Sequence, residues 1–328
     1  MRAAMGKARG RVLVTGSAGY IGRATVSHLV QVGRSVMGLD RVRAASAEAD
    51  SVLCDLTTLD DEFDIRAWPQ TVIHLAAVCK EPGYPWREYY ANNAESTRRL
   101  CRAADRAGVD NIIFTSTMMT FAASPDRRSE SDFCDPDTAY GGSKLQAEEI
   151  LRSWQAARPG RRLRIVRPGV VFGPEDEGNM RRLIHALRAR RFAYIGRKDT
   201  IKGCIYIKDL VRLLVRLIDD DGPHDTFHAV YPNATTIQEI VQAINSAWGW
   251  KRRPPTIPYR PALVAAAPFA LIDPLGTRFS IHPRRIQKLY QDTNLSADRL
   301  FDIGFAPQYS LVEAFADWRN ECDGALPK

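Results

Sequence analysis

Two side chains four residues apart, Tyr140 and Lys144, could carry acid–base chemistry in this chain. Residues at this spacing share one face of a helix, so the phenol and the ammonium would be neighbours. A free tyrosine has a pKa of about 10, and a nearby cation stabilises the phenolate and lowers that pKa. A tyrosine tuned in this way could take a proton from an alcohol while hydride leaves the same carbon. Taken alone, such a pair is usually a surface pair, so other elements must position it.

Three hydroxyl side chains end an apolar segment upstream of this pair: Thr115, Ser116 and Thr117. The segment from Asn111 predicts a strand buried on both faces, and parallel sheets bind ligands at the carboxyl ends of their strands. One of these hydroxyls could therefore hold the substrate oxygen that Tyr140 would deprotonate.

A glycine-rich turn directly after the apolar run 11–14 predicts a dinucleotide site. Its three glycines permit a tight turn, a close approach to a pyrophosphate and tight packing of the helix that follows. The free N–H groups and partial positive charge of that helix end would face the anion. The predicted cofactor contacts of this turn are Gly16, Gly19, Tyr20, Ile21 and Gly22.

The second predicted strand, 35–40, ends in a carboxylate that indicates which dinucleotide would bind. Asp40 lies at the distance expected for a residue that binds a ribose 2′-hydroxyl, and it would repel the 2′-phosphate of NADP. Arg41 follows at once and could attract that phosphate. NAD is therefore favoured over NADP. A strand–turn–helix unit without a ligand is the alternative, and the acid at this position argues against it.

Strands and helices alternate through the first half of the chain, which predicts an α/β fold with a doubly wound parallel sheet of the Rossmann type. The predicted strands are 11–14, 35–40, 49–55, 71–77, 111–117 and 164–167, and the predicted helices include 86–107 and 137–157. After residue 170, short strands mix with helices. We therefore predict an NAD-binding domain at 1–170 and a smaller C-terminal α/β substrate lobe at 171–328, with part of 200–230 returning to the sheet.

Composition and charge narrow the class of protein. Of the 328 residues, 45% are hydrophobic and 26% charged, and the net charge is +8. This composition is ordinary for a soluble globular protein, and the positive charge would attract nucleotide diphosphates or an anionic membrane surface. No basic stripe is interleaved with aromatic residues, so we expect no nucleic-acid partner. The six cysteines lack metal-ligand spacing, so we expect no metal, mostly buried free thiols and a reducing, cytoplasmic location.

Two segments bear on membranes and targeting. Residues 1–10 lack the apolar stretch of a signal peptide, so none is expected. The apolar segment 261–272 is too short to span a bilayer and contains Pro268, so no transmembrane helix is expected. A core or interface helix is the first interpretation of this segment, and peripheral contact with lipid is the alternative.

Together these motifs resemble the extended short-chain dehydrogenase/reductase superfamily, in its NAD-dependent nucleotide-sugar epimerase/dehydratase branch. The resemblance covers nearly the whole chain. It rests on the glycine turn, Asp40, His74-Leu75-Ala76-Ala77, Asn93, Phe114-Thr115-Ser116-Thr117, Tyr140 with Lys144, and the segment 167–174.

The resemblance implies a role for each matching position. Tyr140 would be the acid/base, Lys144 its partner and Thr117 the catalytic hydroxyl. The further cofactor contacts that it implies are Arg41, Asp55, Leu56, Leu75, Ala76, Ala77, Asn93, Thr115, Pro168 and Val170, besides Tyr140 and Lys144. The substrate contacts that it implies are Thr117, Met118, Asn179 and Lys202. The family commonly forms homodimers through two helices of the cofactor domain, so a homodimer is expected.

Two departures from the family pattern narrow the reaction. Dehydratases of this branch follow the catalytic hydroxyl with an Asp-Glu pair, and related decarboxylases keep a Glu there, but this chain has Met118-Met119. Elimination would lack its acid and base, so both activities are disfavoured. Lys202 lies where the family often carries an arginine that grips the diphosphate, and lysine supplies charge without a bidentate fork.

Three functions follow as expectations. The first is an NAD-dependent 4-epimerase that acts through a transient 4-keto intermediate on a UDP-sugar or another nucleotide sugar, N-acetylated or polyprenyl-linked sugars included. The second is an NAD(P)-dependent 4-keto-sugar reductase or another alcohol dehydrogenase of the same superfamily. The third is a dinucleotide-binding protein without turnover, which the presence of both Tyr140 and Lys144 disfavours.

Overall fold

The computed structural model describes residues 10–43, 49–60, 63, 69–81, 83–272 and 282–327, with the backbone alone at 270–272. The expectation of no signal peptide therefore falls mostly outside the described residues.

Short apolar segments of the first half form strands, and amphipathic segments between them form helices. These elements are β1 (Val12–Thr15), α1 (Tyr20–Gln31), β2 (Val36–Asp40), β3 (Asp50–Leu53), β4 (Thr71–His74), α2 (Trp86–Tyr89), α3 (Ser96–Arg106), β5 (Asn111–Thr115), β6 (Ser124–Arg128), α4 (Ala139–Ala156) and β7 (Arg162–Pro168). A π-helical turn, Tyr90–Glu95, joins α2 to α3, and a 3-10 turn, Met118–Thr120, follows β5. The predicted strands and helices of this half are confirmed, with ends shifted by a few residues.

The second half mixes short strands with helices. Its elements are β8 (Val170–Phe172), α5 (Asn179–Arg188), β9 (Tyr194–Ile195), β10 (Cys204–Tyr206), α6 (Ile207–Arg216), β11 (Thr226–Ala229), α7 (Ile237–Trp248), β12 (Thr256–Ile257), α8 (Tyr259–Ile272), α9 (Pro283–Tyr290), β13 (Thr293–Leu295), α10 (Asp298–Asp302) and α11 (Leu311–Glu321). Of the described helices, none is both long enough and apolar enough to cross a membrane.

Seven strands form one parallel sheet in the order β11-β7-β5-β4-β1-β2-β3, which confirms the predicted doubly wound architecture. The chain proceeds outward from β1 in one direction through β2 and β3, and in the other through β4, β5 and β7. The crevice where these directions diverge, at the carboxyl ends of β1 and β4, is where such sheets bind ligands.

The sheet is covered on both faces, which explains why its strands are apolar throughout. Val12 and Val14 of β1 pack on the face that α1 and α6 cover, whereas Leu13 packs on the face that α3 and α4 cover. This alternation follows from the two-residue period of a strand. The helices on the two faces of the sheet together fix the strand ends that carry the functional side chains.

The chain after β7 is built around a third, aromatic core. Phe172 of β8 stacks on Phe315 of α11, with ring centroids 4.7 Å apart, and Tyr206 and Trp318 pack around them. Three pairs of short strands, β8 with β10, β9 with β12 and β6 with β13, tie this part together. Strand β11 lies in the main sheet beside β7. The domain division at residue 170 remains a prediction.

Candidate active site

The glycine turn between β1 and α1 leaves the N-terminal end of α1 open, where an anion could bind. Gly16 has a φ of +69°, and a Cβ atom there would come within 2.6 Å of Ala76 N. A Cβ atom at Gly22 would lie 2.0 Å from Gly16 O, so only glycine permits this packing. Among the described residues, no side chain caps the N terminus of α1. A pyrophosphate fits this geometry, because it would satisfy N–H groups that the protein itself leaves uncapped.

The acid at the end of β2 is held in place by the same turn. Asp40 Oδ2 accepts a hydrogen bond from Ala18 N at 2.9 Å, and Oδ1 accepts one from Val42 N at 3.1 Å. The carboxylate is thereby oriented beside the turn, with Arg41 exposed next to it. Its position fits the predicted contact with a ribose hydroxyl.

Two of the predicted cofactor contacts, Asp55 and Leu56, follow β3. Asp55 Oδ1 accepts hydrogen bonds from the backbone N–H and the hydroxyl of Thr57, both at 2.8 Å. The Thr57 backbone N–H is the main cause that lowers the pKa of Asp55, so the carboxylate is ionised at neutral pH. Leu56 is buried against the sheet.

A hydrogen-bonded chain fixes the loop after β4. The Thr15 hydroxyl accepts from Leu75 N and Ala76 N, so it donates to His74 Nδ1, 2.7 Å away. His74 Nε2 then donates to Thr97 Oγ1 at 3.0 Å. Burial, with the charge of Lys144, lowers the pKa of His74 to about 3. His74 is therefore a neutral structural residue that holds the predicted cofactor contacts Leu75, Ala76 and Ala77.

Asn93 connects this loop to the helix that carries the catalytic pair. It lies in the π-helical turn, where its side-chain oxygen accepts from Val78 N and its amide donates to Val78 O. The same amide donates to Ser143 Oγ at 2.9 Å, and Ser143 Oγ donates to Tyr140 O. The Asn93 side chain is thus saturated by protein groups, and it positions the backbone of Tyr140.

The structure brings together the three predicted catalytic residues at the carboxyl end of β5. Thr138 caps α4, so Tyr140 lies in the first turn of that helix and Lys144 one turn later. The Thr117 side chain lies close enough to the Tyr140 phenol to oppose the rise in its pKa. Lys144 is buried, with its ammonium 4.0 Å from the centroid of the Phe114 ring. Within the described part of the chain, no hydrogen bond to that ammonium forms.

The expected tuning of Tyr140 by Lys144 is not what the structure shows. Burial raises the pKa of Tyr140 above its usual value of 10.0, and Cys79 and Tyr89 raise it further, against the opposing effect of Thr117. Burial also lowers the pKa of Lys144 to about 7. Desolvation outweighs charge pairing in this dry pocket. The chain by itself therefore holds Tyr140 as a protonated phenol, suited to donate a proton.

Three residues that the sequence analysis did not connect support this site from behind. The Ser116 hydroxyl donates to Glu148 Oε1 at 2.5 Å, and Arg167 donates to both oxygens of Glu148, at 2.9 and 2.6 Å. Glu148 and Arg167 are 1% and 5% exposed. This ion pair joins β5, α4 and β7, each of which carries predicted site residues. No short-range pattern could have indicated it, because its members are far apart in the chain.

Cys79 is a second residue that sequence reasoning missed. Its thiol lies close enough to Lys144 and Tyr140 to affect the pKa values of both. The residue as a whole is exposed, but desolvation by the surrounding protein raises the pKa of its thiol, so the thiol is neutral at physiological pH.

All six cysteines are free, but only Cys101 and Cys204 are buried, so the expectation that most are buried is wrong. In the described residues, no cluster of His, Cys, Asp or Glu could hold a metal ion.

Two of the remaining predicted cofactor contacts carry hydroxyls that a ligand could bond. The Thr115 and Tyr20 hydroxyls are buried without a hydrogen-bond partner among the described residues. Burial, with Asp176 and Glu175 nearby, raises the pKa of Tyr20. Ile21 lies in the first turn of α1. Pro168 ends β7, and Val170 begins β8, where its N–H donates to Gly203 O at 2.8 Å.

The predicted substrate contacts do not come together in the structure as the catalytic residues do. Met118 follows Thr117 directly and is partly buried. Asn179 is exposed at the start of α5, where its side chain accepts from Arg182. The Lys202 ammonium donates to the carbonyls of Lys288 and Gln291, at 2.6 and 2.5 Å. Its charge therefore stabilises the C-terminal end of α9, and a diphosphate would have to share it.

Comparisons with known proteins place this geometry in context. The chain is 26% identical over 311 residues to the N-acetyl-α-D-glucosaminyl-diphospho-ditrans,octacis-undecaprenol 4-epimerase of Escherichia coli O157:H7, covering 92% of each chain. It is 24% identical over 338 residues to a 3-beta-hydroxysteroid dehydrogenase of Mycolicibacterium neoaurum, covering 94% of this chain and 90% of that one. The solved UDP-glucuronic acid 4-epimerase from Bacillus cereus, in complex with NAD, has a TM-score of 0.72 at 17% identity, over 95% and 98% of the chains.

A family model also matches the part of the chain that contains the sheet, the glycine turn and Thr117, Tyr140 and Lys144. The model of the NAD dependent epimerase/dehydratase family matches residues 12–229, which span β1 to β11. This chain belongs to the NAD-dependent epimerase/dehydratase family.

Proposed function

We propose that this protein is an NAD-dependent 4-epimerase of sugars linked to a diphosphate. The observation that carries the proposal is that Tyr140, Thr117 and Lys144 meet at the carboxyl end of β5, with Lys144 buried and Thr117 close enough to the Tyr140 phenol to affect its pKa. Because both hydroxyls lie at the carboxyl end of β5, a substrate oxygen between them would face the crevice beside the glycine turn. The relative from Escherichia coli, a 4-epimerase that this chain matches over 92% of its length, supports the same reaction.

The proposed mechanism gives a separate role to each of three side chains, Thr117, Tyr140 and Lys144. Bound NAD would supply a hydride acceptor for the sugar carbon. Thr117 would hold the hydroxyl oxygen on that carbon. Tyr140 would first lose its own proton to solvent, and the resulting phenolate would take the substrate proton and later return it. Lys144 is buried beside them, where its charge would favour the phenolate during proton transfer. An epimerase must keep its intermediate, so the dry walls of this pocket suit the task.

The two methionines after Thr117 favour epimerisation over elimination. Met118 is partly buried, and Met119 packs against the cluster that contains Tyr140. Neither supplies the carboxylate that elimination of water or carbon dioxide would need. The pocket can therefore move a proton on one oxygen, but it offers no second acid or base at this position.

We propose NAD rather than NADP as the cofactor. Asp40 is held beside the glycine turn by Ala18 N and Val42 N, so its carboxylate stays where a 2′-phosphate would have to sit. The 4-epimerase from Bacillus cereus was solved with NAD, which agrees with this choice. A homodimer and a cytoplasmic location belong to the same proposal and rest on the family resemblance. So do the substrate contacts Thr117, Met118, Asn179 and Lys202.

The substrate end of the proposal can be tested directly. Purified protein would be incubated with UDP-N-acetylglucosamine, with UDP-glucose and with an undecaprenyl-diphosphate sugar in detergent, and the products separated by chromatography. We expect interconversion of two epimers without net change in NADH absorbance. Tyr140→Phe should lower the rate by about 10²–10⁴-fold, the usual range for a lost acid–base group. Tyr309→Phe, a matched change in the C-terminal part, should leave it unaltered.

A net oxidoreductase is the second candidate, and one comparison favours it. The steroid dehydrogenase from Mycolicibacterium neoaurum matches 94% of this chain. Such an enzyme would use the same catalytic residues but would consume cofactor in proportion to product. Stoichiometric loss or gain of NADH in the assay above would contradict the epimerase proposal and support a net oxidoreductase. Released dinucleotide should also be identified by mass, because NADP would contradict the role of Asp40.

A further inference from the structure

Helix α8 presents an apolar face to solvent. On its inner side, Ala266 is buried with Ile195 and Ile286, and Ala262 and Leu263 pack against them. On its outer side, Val264 is 73% exposed. Four exposed residues form this outer side, which we call the α8 face: Val264, Ala265, Ala267 and Pro268.

This face is unusual for a surface helix. The 14 residues of α8 contain a single charged side chain, Arg260, so the helix has no polar side to turn toward water. A helix that is apolar all round is normally covered on all sides. Apolar stretches of about 10–14 residues are too short to span a bilayer and are typical of buried or interfacial segments. The α8 face therefore needs a partner outside the described chain.

The charges around the α8 face indicate what that partner is. Arg260 is exposed on α8 itself, and residues 240–272 contain no Asp or Glu. Helix α9 packs against α8 and adds two exposed cations, Arg284 and Lys288, which with Arg260 we call the basic rim. A second copy docked symmetrically on this face would bring like charges together. An anionic lipid surface would instead complement an apolar face with a basic rim.

We propose that the α8 face docks on an anionic lipid bilayer, with the basic rim on the headgroups. The face would lie in the plane of the interface rather than cross it. Cations near such a surface each contribute about 1 kcal/mol of attraction, so the rim supplies affinity that four small apolar residues could not supply alone.

Docking there would bring the catalytic cleft close to the membrane. The Lys288 ammonium on α9 donates to Glu81 O at 3.3 Å, in the loop that follows β4 and contains Cys79. Helix α9 thus bridges the α8 face and the mouth of the cleft. If the proposed function holds, this arrangement would let a membrane-held diphosphate sugar reach Tyr140 without leaving the bilayer.

The test is co-sedimentation of the full chain with vesicles. We expect binding to vesicles of phosphatidylcholine with phosphatidylglycerol, little binding to phosphatidylcholine alone, and weaker binding at high salt. Val264→Glu should weaken binding by about tenfold or more, because it places a charge in the apolar face and repels anionic lipid. Val312→Glu on α11 is the matched control, since Val312 is also an exposed helical valine, and it should bind like the unaltered chain.

Three results would overturn the proposal: no sedimentation with either vesicle, equal effects of both substitutions, or loss of a dimer in Val264→Glu without lipid binding. The last result would assign the α8 face to a second copy. Turnover of a water-soluble nucleotide sugar serves as the folding control, because Val264→Glu should keep the unaltered rate. Lipid binding without turnover of any sugar would refute the proposed function and leave the docking inference standing.

Discussion

Tyr140 and Lys144 lie together in a desolvated site, and this desolvation is the main cause of the pKa shift of each. Burial raises the pKa of the phenol and lowers that of the ammonium to about 7. The phenol therefore does not titrate near neutral pH in the chain by itself, whereas the lysine does. Thr117 is the group that opposes the effect of burial on Tyr140.

The pH dependence of the reaction should report Lys144. The ammonium is charged below a pH of about 7 and neutral above it, so kcat/KM should decline as pH rises through that value. The decline should be absent in Lys144→Met, whose rate should be low at every pH. A kcat/KM profile of both proteins measures this. A limb on the acid side alone would contradict the role of the charged lysine.

The Thr117 hydroxyl should matter for turnover rather than for folding. Thr117→Val keeps the shape of the side chain but removes the hydroxyl that lies near the Tyr140 phenol, and we expect kcat to fall by about 10²–10³-fold. Thr120→Val is a control at the end of the 3-10 turn that follows Thr117, because the Thr120 hydroxyl donates to Thr117 O rather than to Tyr140. Steady-state kinetics of both variants, with thermal unfolding, would separate the two roles. Equal losses would remove Thr117 from the mechanism.

At the scale of elements, the site depends on two strands and one helix that meet through Glu148. This carboxylate on α4 accepts from Ser116 after β5 and from Arg167 on β7. Because Tyr140, Lys144 and Glu148 all lie on α4, the ion pair sets where the catalytic turn of that helix stands against β5. The π-helical turn does the same from the other side, through Asn93 and Ser143.

Breaking this ion pair should destabilise the fold. Glu148→Gln leaves the Arg167 charge buried without its counter-ion, and the free energy of unfolding should fall by about 3–5 kcal/mol. Glu149→Gln changes an exposed carboxylate on the next position of the same helix and should have little effect. Urea unfolding of the two variants measures the difference. A Glu148→Gln protein as stable as the Glu149→Gln protein would show that the pair does not hold these elements together.

At the scale of the whole molecule, two buried histidines make stability depend on pH. Burial lowers the pKa of His74, at the end of β4, and of His228, in the edge strand β11, to about 3. The unfolded chain takes up protons near its ordinary histidine pKa of about 6.5, whereas the folded chain does not. Stability is therefore highest above that pH and falls as pH drops from about 6.5 toward 3.

Replacement of one buried histidine should reduce this acid sensitivity. His228→Asn keeps a donor toward Ser296 O and removes the titrating ring, and it should recover about 1–2 kcal/mol of the stability lost between pH 6.5 and pH 5. The control is His224→Asn, which alters a half-buried histidine paired with Asp302. The readout is the pH dependence of urea midpoints. Parallel curves for all three proteins would contradict the assignment.

Local patterns in the sequence were sufficient for much of this protein. The glycine turn and the Tyr140–Lys144 spacing follow from backbone sterics and helical period, which leave little choice over a few residues. The acid that ends β2 follows the turn at the spacing of a strand–turn–helix–strand unit. The apolar strands predicted a sheet covered on both faces, and their alternation with helices predicted its parallel order. These predictions for the fold are confirmed.

Only the tertiary structure decided the electrostatics and the supports of the site. The pKa of Tyr140 rises because α4, the loop after β4 and the π-helical turn together exclude water, and no spacing along the chain encodes that burial. The Glu148–Arg167 pair, Cys79 beside Lys144, and the carbonyls that bind Lys202 likewise join segments far apart in sequence. Motifs specify which groups a chain carries, but desolvation and distant partners determine what those groups do.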